Sequence, residues 1–182
     1  MFPHSYHAGI ELSATAGFFQ KKLQLTVNAT LSRNKIKNFT QYIDRYDQDW
    51  NSLGQDTIYL GETDLSFSPD MIVNAILTYK PISQLSISMN SKYIGRQFID
   101  NTSNAGRSLN GYFINGFGVM YGLKTKIFKE IGLSLTINNL FNQKYESNAW
   151  VYPYYQGDVY NEYNGYFPQA LINFLFGLSL KI

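Results

Sequence analysis

The chain has 182 residues, ample for one domain with a real core, yet only 15% are charged and 16% are aromatic. A net charge of +2 and the lack of any basic run give no sign of nucleic-acid binding, and the absence of cysteine rules out disulfide staples and thiolate metal sites. No run of about 18 apolar residues is present to form a transmembrane helix, and the opening MFPHSYHAGIEL lacks the basic start and apolar core of a signal peptide.

Fifteen Tyr and thirteen Phe favour strands over helices, and an alternating pattern recurs along the chain. GIELSATAGF (9–18) places Ile10, Leu12, Ala14, Ala16 and Phe18 on one face, with Glu11, Ser13 and Thr15 on the other. LQLTVNATLSR (23–33) sets Leu23, Leu25, Val27, Ala29 and Leu31 against Gln24, Thr26, Asn28, Thr30 and Ser32. MIVNAILTY (71–79) is less clean, because Ile72 and Ile76 share a face with Asn74 and Thr78. LSISMNSKY (85–93) opposes Leu85, Ile87, Met89 and Tyr93 to Ser86, Ser88, Asn90 and Lys92. In FINGFGVMYGL (113–123), Phe113, Phe117, Val119, Tyr121 and Leu123 lie opposite Gly116, Gly118 and Gly122. LSLTINNLF (133–141) alternates Leu133, Leu135 and Ile137 with Ser134, Thr136 and Asn138. The tail LINFLFGLSLKI (171–182) carries Ile172, Phe174, Phe176, Leu178, Leu180 and Ile182 as one stripe, up to the last residue.

The connections alternate too. QKK, KPISQ and KTKIFKE are short, while residues 34–68, 97–111 and 142–168 form long links. Sorting short and long connections to opposite ends predicts an all-β, antiparallel up-and-down meander of about seven strands, the pattern of a transmembrane β-barrel with short periplasmic turns and long external loops. Strands of about ten residues suit a tilted span of a bilayer. Alternation alone also fits a soluble lipocalin-like barrel with its apolar face inside. The polar faces, however, carry Gln, Thr, Asn and Ser, where a water-facing surface would carry more Lys and Glu. Tyr79 and Tyr121 near the short turns, and Tyr93, Phe113 and Phe141 near the long loops, predict two aromatic girdles.

At LSLTINNLFNQKYESN (133–148), followed by an aromatic loop and the closing FLFGLSLKI, the chain resembles the C-terminal end of TonB-dependent outer-membrane receptors. Asn139, Leu140, Phe141, Asn142 and Tyr145 match the family's Asn-Leu-Phe-Asn-x-x-Tyr run, YHAGIELSA (6–14) its Gly-x-Glu strand, and FSPDMIVNAILTYKP (67–81) a later strand. The final residue departs from the pattern: Ile182 stands where such proteins favour an aromatic one. The resemblance implies a barrel of about 22 strands with an N-terminal plug. Seven strands cannot close it, and the smallest single-chain barrels use about eight. Residues 1–182 are therefore expected to be the C-terminal segment of a receptor barrel without its plug and earlier strands, unable to transport anything alone.

The resemblance further implies a receptor for a scarce nutrient such as a siderophore, corrinoid or oligosaccharide, acting by binding and not as an enzyme, in the outer membrane of a Gram-negative bacterium. Its partners would be outer-membrane lipid, the barrel-assembly machinery, and a TonB-type energy coupler reached through the missing plug. The assembly signal would be the stripe Phe174, Phe176, Leu178, Leu180 and Ile182. A passive porin or structural barrel is the competing reading.

No elbow, phosphate loop or other catalytic constellation is present, and no cofactor is expected. His4 and His7 lie three apart on an extended chain and should face opposite ways. DQDWNSLGQD (47–56) faintly suggests a calcium loop, but its glycine is two places late and Ile58 stands where the bidentate Glu belongs. The sequons at Asn28, Asn38 and Asn101 read as chance. Gly116, Gly118 and Gly122 mark either a bend or a smooth wall for a plug. Ligand recognition is expected in the long loops, with Tyr46, Trp50, Trp150, Tyr152, Tyr154 and Tyr155 as candidates, although aromatic loop residues also serve to hold a loop together.

Overall fold

The computed structural model describes residues 4–182, so the first three residues of the opening stretch lie outside it. The elements in chain order are β1 (His4–Phe18), β2 (Leu23–Tyr46), β3 (Ser52–Asp64), β4 (Met71–Ile82), β5 (Leu85–Ile94), β6 (Gln97–Phe98), β7 (Ser108–Leu109), β8 (Tyr112–Leu123), β9 (Glu130–Asn138), β10 (Glu146–Gln156), β11 (Val159–Pro168) and β12 (Asn173–Lys181). Seven of them form a curled wall in the order β1, β2, β4, β5, β8, β9, β12, each antiparallel to its neighbour. These are the seven strands that the alternation predicts.

Register decides which residues share a face. Ala16, Leu25, Leu77, Met89, Phe117, Ile137 and Phe174 lie directly opposite one another in succession, an apolar row that crosses the whole wall. One residue along, Gly17, Gln24, Thr78, Ser88, Gly118, Thr136 and Leu175 form a row on the other face, polar or small except at its end. Polar pairs knit this second face, with Ser13 Oγ donating to Asn28 Oδ1 at 2.7 Å and the hydroxyls of Thr15 and Thr26 3.2 Å apart. Of the residues expected in two girdles, Tyr93 sits opposite Phe113 towards the long loops, Tyr79 and Tyr121 pair with residues beside the short turns, and Phe141 lies in the turn just after β9.

The apolar face is not covered. Ile10, Leu12, Phe174 and Leu178 are all more than half exposed, and Phe176 is 82% exposed. Each such side chain left in water forgoes about 1.5–3 kcal/mol, and a patch this wide marks a surface meant for an apolar partner. A soluble barrel would fold the same stripe inward. Here every buried hydrophobic residue, among the described ones, lies in the long links: Ile43, Ile99, Leu109, Ala149 and Tyr154.

Those links are not irregular loops. β2 runs for 24 residues, past the wall and into the first long link, where β3 pairs back along it. Register shifts on both sides of Phe39, with Asn38 at φ 57°, mark a bulged stretch of this ladder, beyond which the original register resumes at Thr40–Tyr59. The second link carries the small β6–β7 hairpin. The third folds into the β10–β11 hairpin, whose Tyr154–Gln156 end pairs in parallel with Asp44–Tyr46 at the top of β2. This hairpin leaves the wall between β9 and β12 and is fastened to β2.

The Asn-Leu-Phe-Asn-x-x-Tyr run makes the exit from β9. Asn139 sits at φ 50° and Asn142 at φ 55°, a left-handed conformation that asparagine tolerates better than most residues. The Asn139 amide donates to the carbonyls of Gln143 (2.8 Å) and Ala170 (3.2 Å), and its oxygen accepts from Gln143 N at 2.9 Å. Asn142 Oδ1 accepts from Ile172 N at 3.0 Å, just before β12. Tyr145 stacks on Tyr112 with ring centroids 4.3 Å apart. The stripe Phe174, Phe176, Leu178 and Leu180 lies opposite Ile137, Leu135, Leu133 and Ile131 on the apolar face, and Ile182 follows just beyond β12.

A candidate ligand-binding mouth

Two hairpins meet above the wall. At the β2–β3 turn, Asp47 Oδ1 accepts from the backbone amides of Asp49 (2.9 Å) and Asn51 (2.8 Å), and its Oδ2 from the Asn51 side chain (2.9 Å). These bonds, the Asn51 side chain first, hold the Asp47 carboxyl below its ordinary range. Both oxygens are thereby engaged, and among the described residues no group of three or more metal-ligating side chains occurs. The segment that suggested a calcium loop is a capped turn. It holds Trp50 at φ 65°, with the indole 55% exposed.

Trp50 packs on Tyr46 and Tyr154, with centroids 5.7 and 5.6 Å away. Tyr154 is the hub: at 3% exposure it also contacts Tyr46 at 6.3 Å and stacks against Tyr152 and Tyr163, each at 5.7 Å. Hydroxyls lock the arrangement. Tyr152 donates to Asp44 Oδ2 at 2.7 Å, which leaves the Tyr46 hydroxyl, 3.0 Å away, to donate to Tyr152. Gln55 bonds the other oxygen of Asp44 at 2.8 Å, so Gln55 and then Tyr152 draw its carboxyl below the usual range. The same contacts, Tyr46 first, raise Tyr152 well above an ordinary phenol and keep it protonated.

Four of the six predicted residues therefore come together: Tyr46, Trp50, Tyr152 and Tyr154. Tyr155 points to the opposite face of β10, edge-on to Tyr160 at 5.4 Å and beneath the Arg45 guanidinium at 5.2 Å. Trp150 lies further along β10, its indole over Gly165 of β11, and does not join the cluster. His4 and His7 face opposite ways as expected, His7 being hydrogen-bonded to Asn34 at 2.8 Å.

Two groups of charged residues that brace the mouth escaped the sequence reading. Arg45 bonds Asp56 at 3.1 Å, and both Asp158 and the Gly157 carbonyl at 3.2 Å, pinning the hairpin tip to β2. Arg107, with a side chain 5% exposed, bonds Asp100 and Glu162, each at 2.8 Å, and the Tyr160 hydroxyl. Burial alone would lower the affinity of this guanidinium for its proton, but the two carboxylates outweigh it. Beside it, Ile99, Leu109, Ala149 and Val151 form a small apolar core. Each arginine joins a carboxylate of its own link, Asp56 or Asp100, to one of the β10–β11 hairpin, Asp158 or Glu162, and no local spacing announces the second partner.

No family model matches the chain, and a comparison with curated proteins finds no match. Among solved structures, the chain is similar to the siderophore receptor PiuA from Acinetobacter baumannii, with a TM-score of 0.68 and 16% identity over 96% of this chain and 21% of that one. It is also similar to the ferric yersiniabactin uptake receptor FyuA from Yersinia pestis, with a TM-score of 0.53 and 14% identity over 88% of this chain and 22% of that one. At such identities the likeness is one of fold, and the chain spans about a fifth of the length of these receptors. The fold is that of a β-barrel wall segment with long hairpins at one end.

Proposed function

We propose that this chain is the C-terminal wall and mouth of an energy-coupled outer-membrane receptor of a Gram-negative bacterium, one that takes up an iron–siderophore chelate by binding and not by catalysis. The observation that carries the reading is the apolar row crossing all seven strands with a largely polar or small-residue row behind it, beneath an ordered aromatic mouth. The fold likeness to two receptors for iron chelates, and the Asn-Leu-Phe-Asn-x-x-Tyr exit from β9, support the same assignment. On this reading lipid covers the apolar face, a plug from elsewhere in the polypeptide reaches a TonB-type coupler, and the assembly machinery docks the β12 stripe. Corrinoids and oligosaccharides are the other cargoes that an aromatic mouth can take.

The test uses the whole receptor. Asp158→Cys should react with an impermeant thiol reagent on intact cells, whereas Lys126→Cys, in the β8–β9 turn, should react only after the outer membrane is opened. Uptake of radioactive iron presented as a siderophore chelate should stop when the coupling protein is deleted. Uptake that persists without the coupler would identify a passive barrel.

A further inference from the structure

The charges of the chain are sorted. Eleven of its thirteen Asp and Glu lie in residues 38–70, 96–111 and 142–170, together with only four of its fifteen Lys and Arg; just below this region Lys35 pairs with Asp64 at 2.5 Å. Of those four, Arg45 is spent on Asp56 and Asp158, Arg107 on Asp100 and Glu162, and Arg96 lies over the Phe98 ring at 4.9 Å. Lys144 lies outside the aromatic cluster, beyond the exit from β9. The open aromatic faces, Trp50 at 55% and Tyr163 at 61% exposure, are flanked instead by carboxylates: Asp44 beneath Tyr152, and Asp47 and Asp49 in the turn that carries Trp50.

A π face is electron-rich and attracts cations, and a field of unneutralised carboxylates in the mouth attracts positive ligands and repels negative ones. A ferric tris-catecholate carries three negative charges. A ferric trihydroxamate is neutral, and one with a free amine is cationic. Resting on the receptor assignment above, we propose that this part of the mouth selects an uncharged or cationic chelate, seated against Trp50, Tyr152 and Tyr163, and excludes polyanionic ones. The buried Tyr154 and the half-buried Tyr46 back that surface. Asp44 and Asp49 supply the charge.

The purified whole receptor should be titrated at low ionic strength with three probes: a neutral ferric trihydroxamate, a ferric trihydroxamate bearing a free amine, and a ferric tris-catecholate. One or both hydroxamates should bind at least about tenfold more tightly than the tris-catecholate, the difference shrinking as salt is added. Trp50→Ala should weaken hydroxamate binding about tenfold or more, and Asp49→Lys should narrow the gap between the classes. Preferred binding of the tris-catecholate would overturn the charge selection and leave the receptor assignment standing. If no chelate of any charge bound to receptor of native gel mobility, the assignment itself would fall, and this inference with it.

Discussion

Arg107 and Glu162 stand 55 positions apart in the chain, and their side chains meet at 2.8 Å with the guanidinium almost wholly out of water. Replacing Arg107 by Leu strips Asp100 and Glu162 of their partner. Breaking a buried pair costs about 3–5 kcal/mol, and the lower end applies because both carboxylates retain some solvent contact. The expected result is local: faster hydrogen exchange at Ile99 and proteolysis near Gly157, with the barrel intact on a gel. Unchanged exchange at Ile99 would show that the small apolar core holds the hairpins without the ion cluster.

The β12 stripe can be tested by contrast. Phe176 lies on the exposed apolar face opposite Leu135, and on the proposed reading a basic residue there enters the hydrocarbon at a cost of about 2–4 kcal/mol. Ser179 is exposed on the other face, opposite Gly132, which has no side chain to oppose a larger group. In the whole receptor Phe176→Arg should abolish the heat-modifiable folded band, and Ser179→Asn should keep it. Equal tolerance of both would mean that the stripe meets neither lipid nor the assembly machinery.

At the exit from β9, Asn139 combines a left-handed backbone with three hydrogen bonds. Asn139→Ala loses both contributions and should lower stability by about 2–3 kcal/mol, within the range for an unsatisfied buried group. Asn139→Gly relieves the backbone but not the bonds and should recover part of the loss. Urea-dependent unfolding of the two variants separates the contributions; equal losses would show that backbone conformation is irrelevant there.

Gly9 is a steric requirement. A Cβ at this position would come within 2.6 Å of the Leu31 carbonyl oxygen, a backbone atom that cannot swing aside. Gly177 faces only the Ser134 hydroxyl, which can rotate. Gly9→Ala should therefore cost about 1–3 kcal/mol, and Gly177→Ala much less, as read by thermal loss of the folded band.

Acid should loosen the mouth before the wall. The Asp44 carboxyl is drawn below its ordinary value by Gln55 and Tyr152. Its contribution is thus complete above the unfolded value of about 3.9 and is lost as pH falls through the lower folded value. Hydrogen exchange around Tyr152 should accelerate in that acid window, and Asp44→Asn should flatten the dependence. A pH response unaltered in Asp44→Asn would assign it to another carboxylate.

The wall was legible because each of its strands separates an apolar from a polar face, so period two shows in the letters. The continuation of β2 was hidden at Asn38: the ladder is bulged there, and NFTQYIDRY has no apolar side to reveal a period. AWVYPYYQ in β10 fails for a related reason, since aromatic residues sit on both faces, Tyr154 in the cluster and Tyr155 under Arg45. The density of aromatic residues in the links singled out Tyr46, Trp50, Trp150, Tyr152, Tyr154 and Tyr155, of which the first two meet Tyr152 and Tyr154. Each charged brace is completed by a partner from another link, Asp158 for Arg45 and Glu162 for Arg107, which no local spacing encodes.

The length of β2 has a consequence for how this mouth can diverge. Its outer half is a ladder continuous with the seven-stranded wall, so a single-residue insertion in one arm turns every residue beyond it to the opposite face. Trp50 and Tyr46 would then leave the surface they share with Tyr154. Insertions of two residues matched on both arms lengthen the hairpin and keep its facing, and an unmatched one must be absorbed by a bulge such as that at Asn38. Variation in this rim should therefore proceed in paired steps, with the odd steps concentrated at bulges.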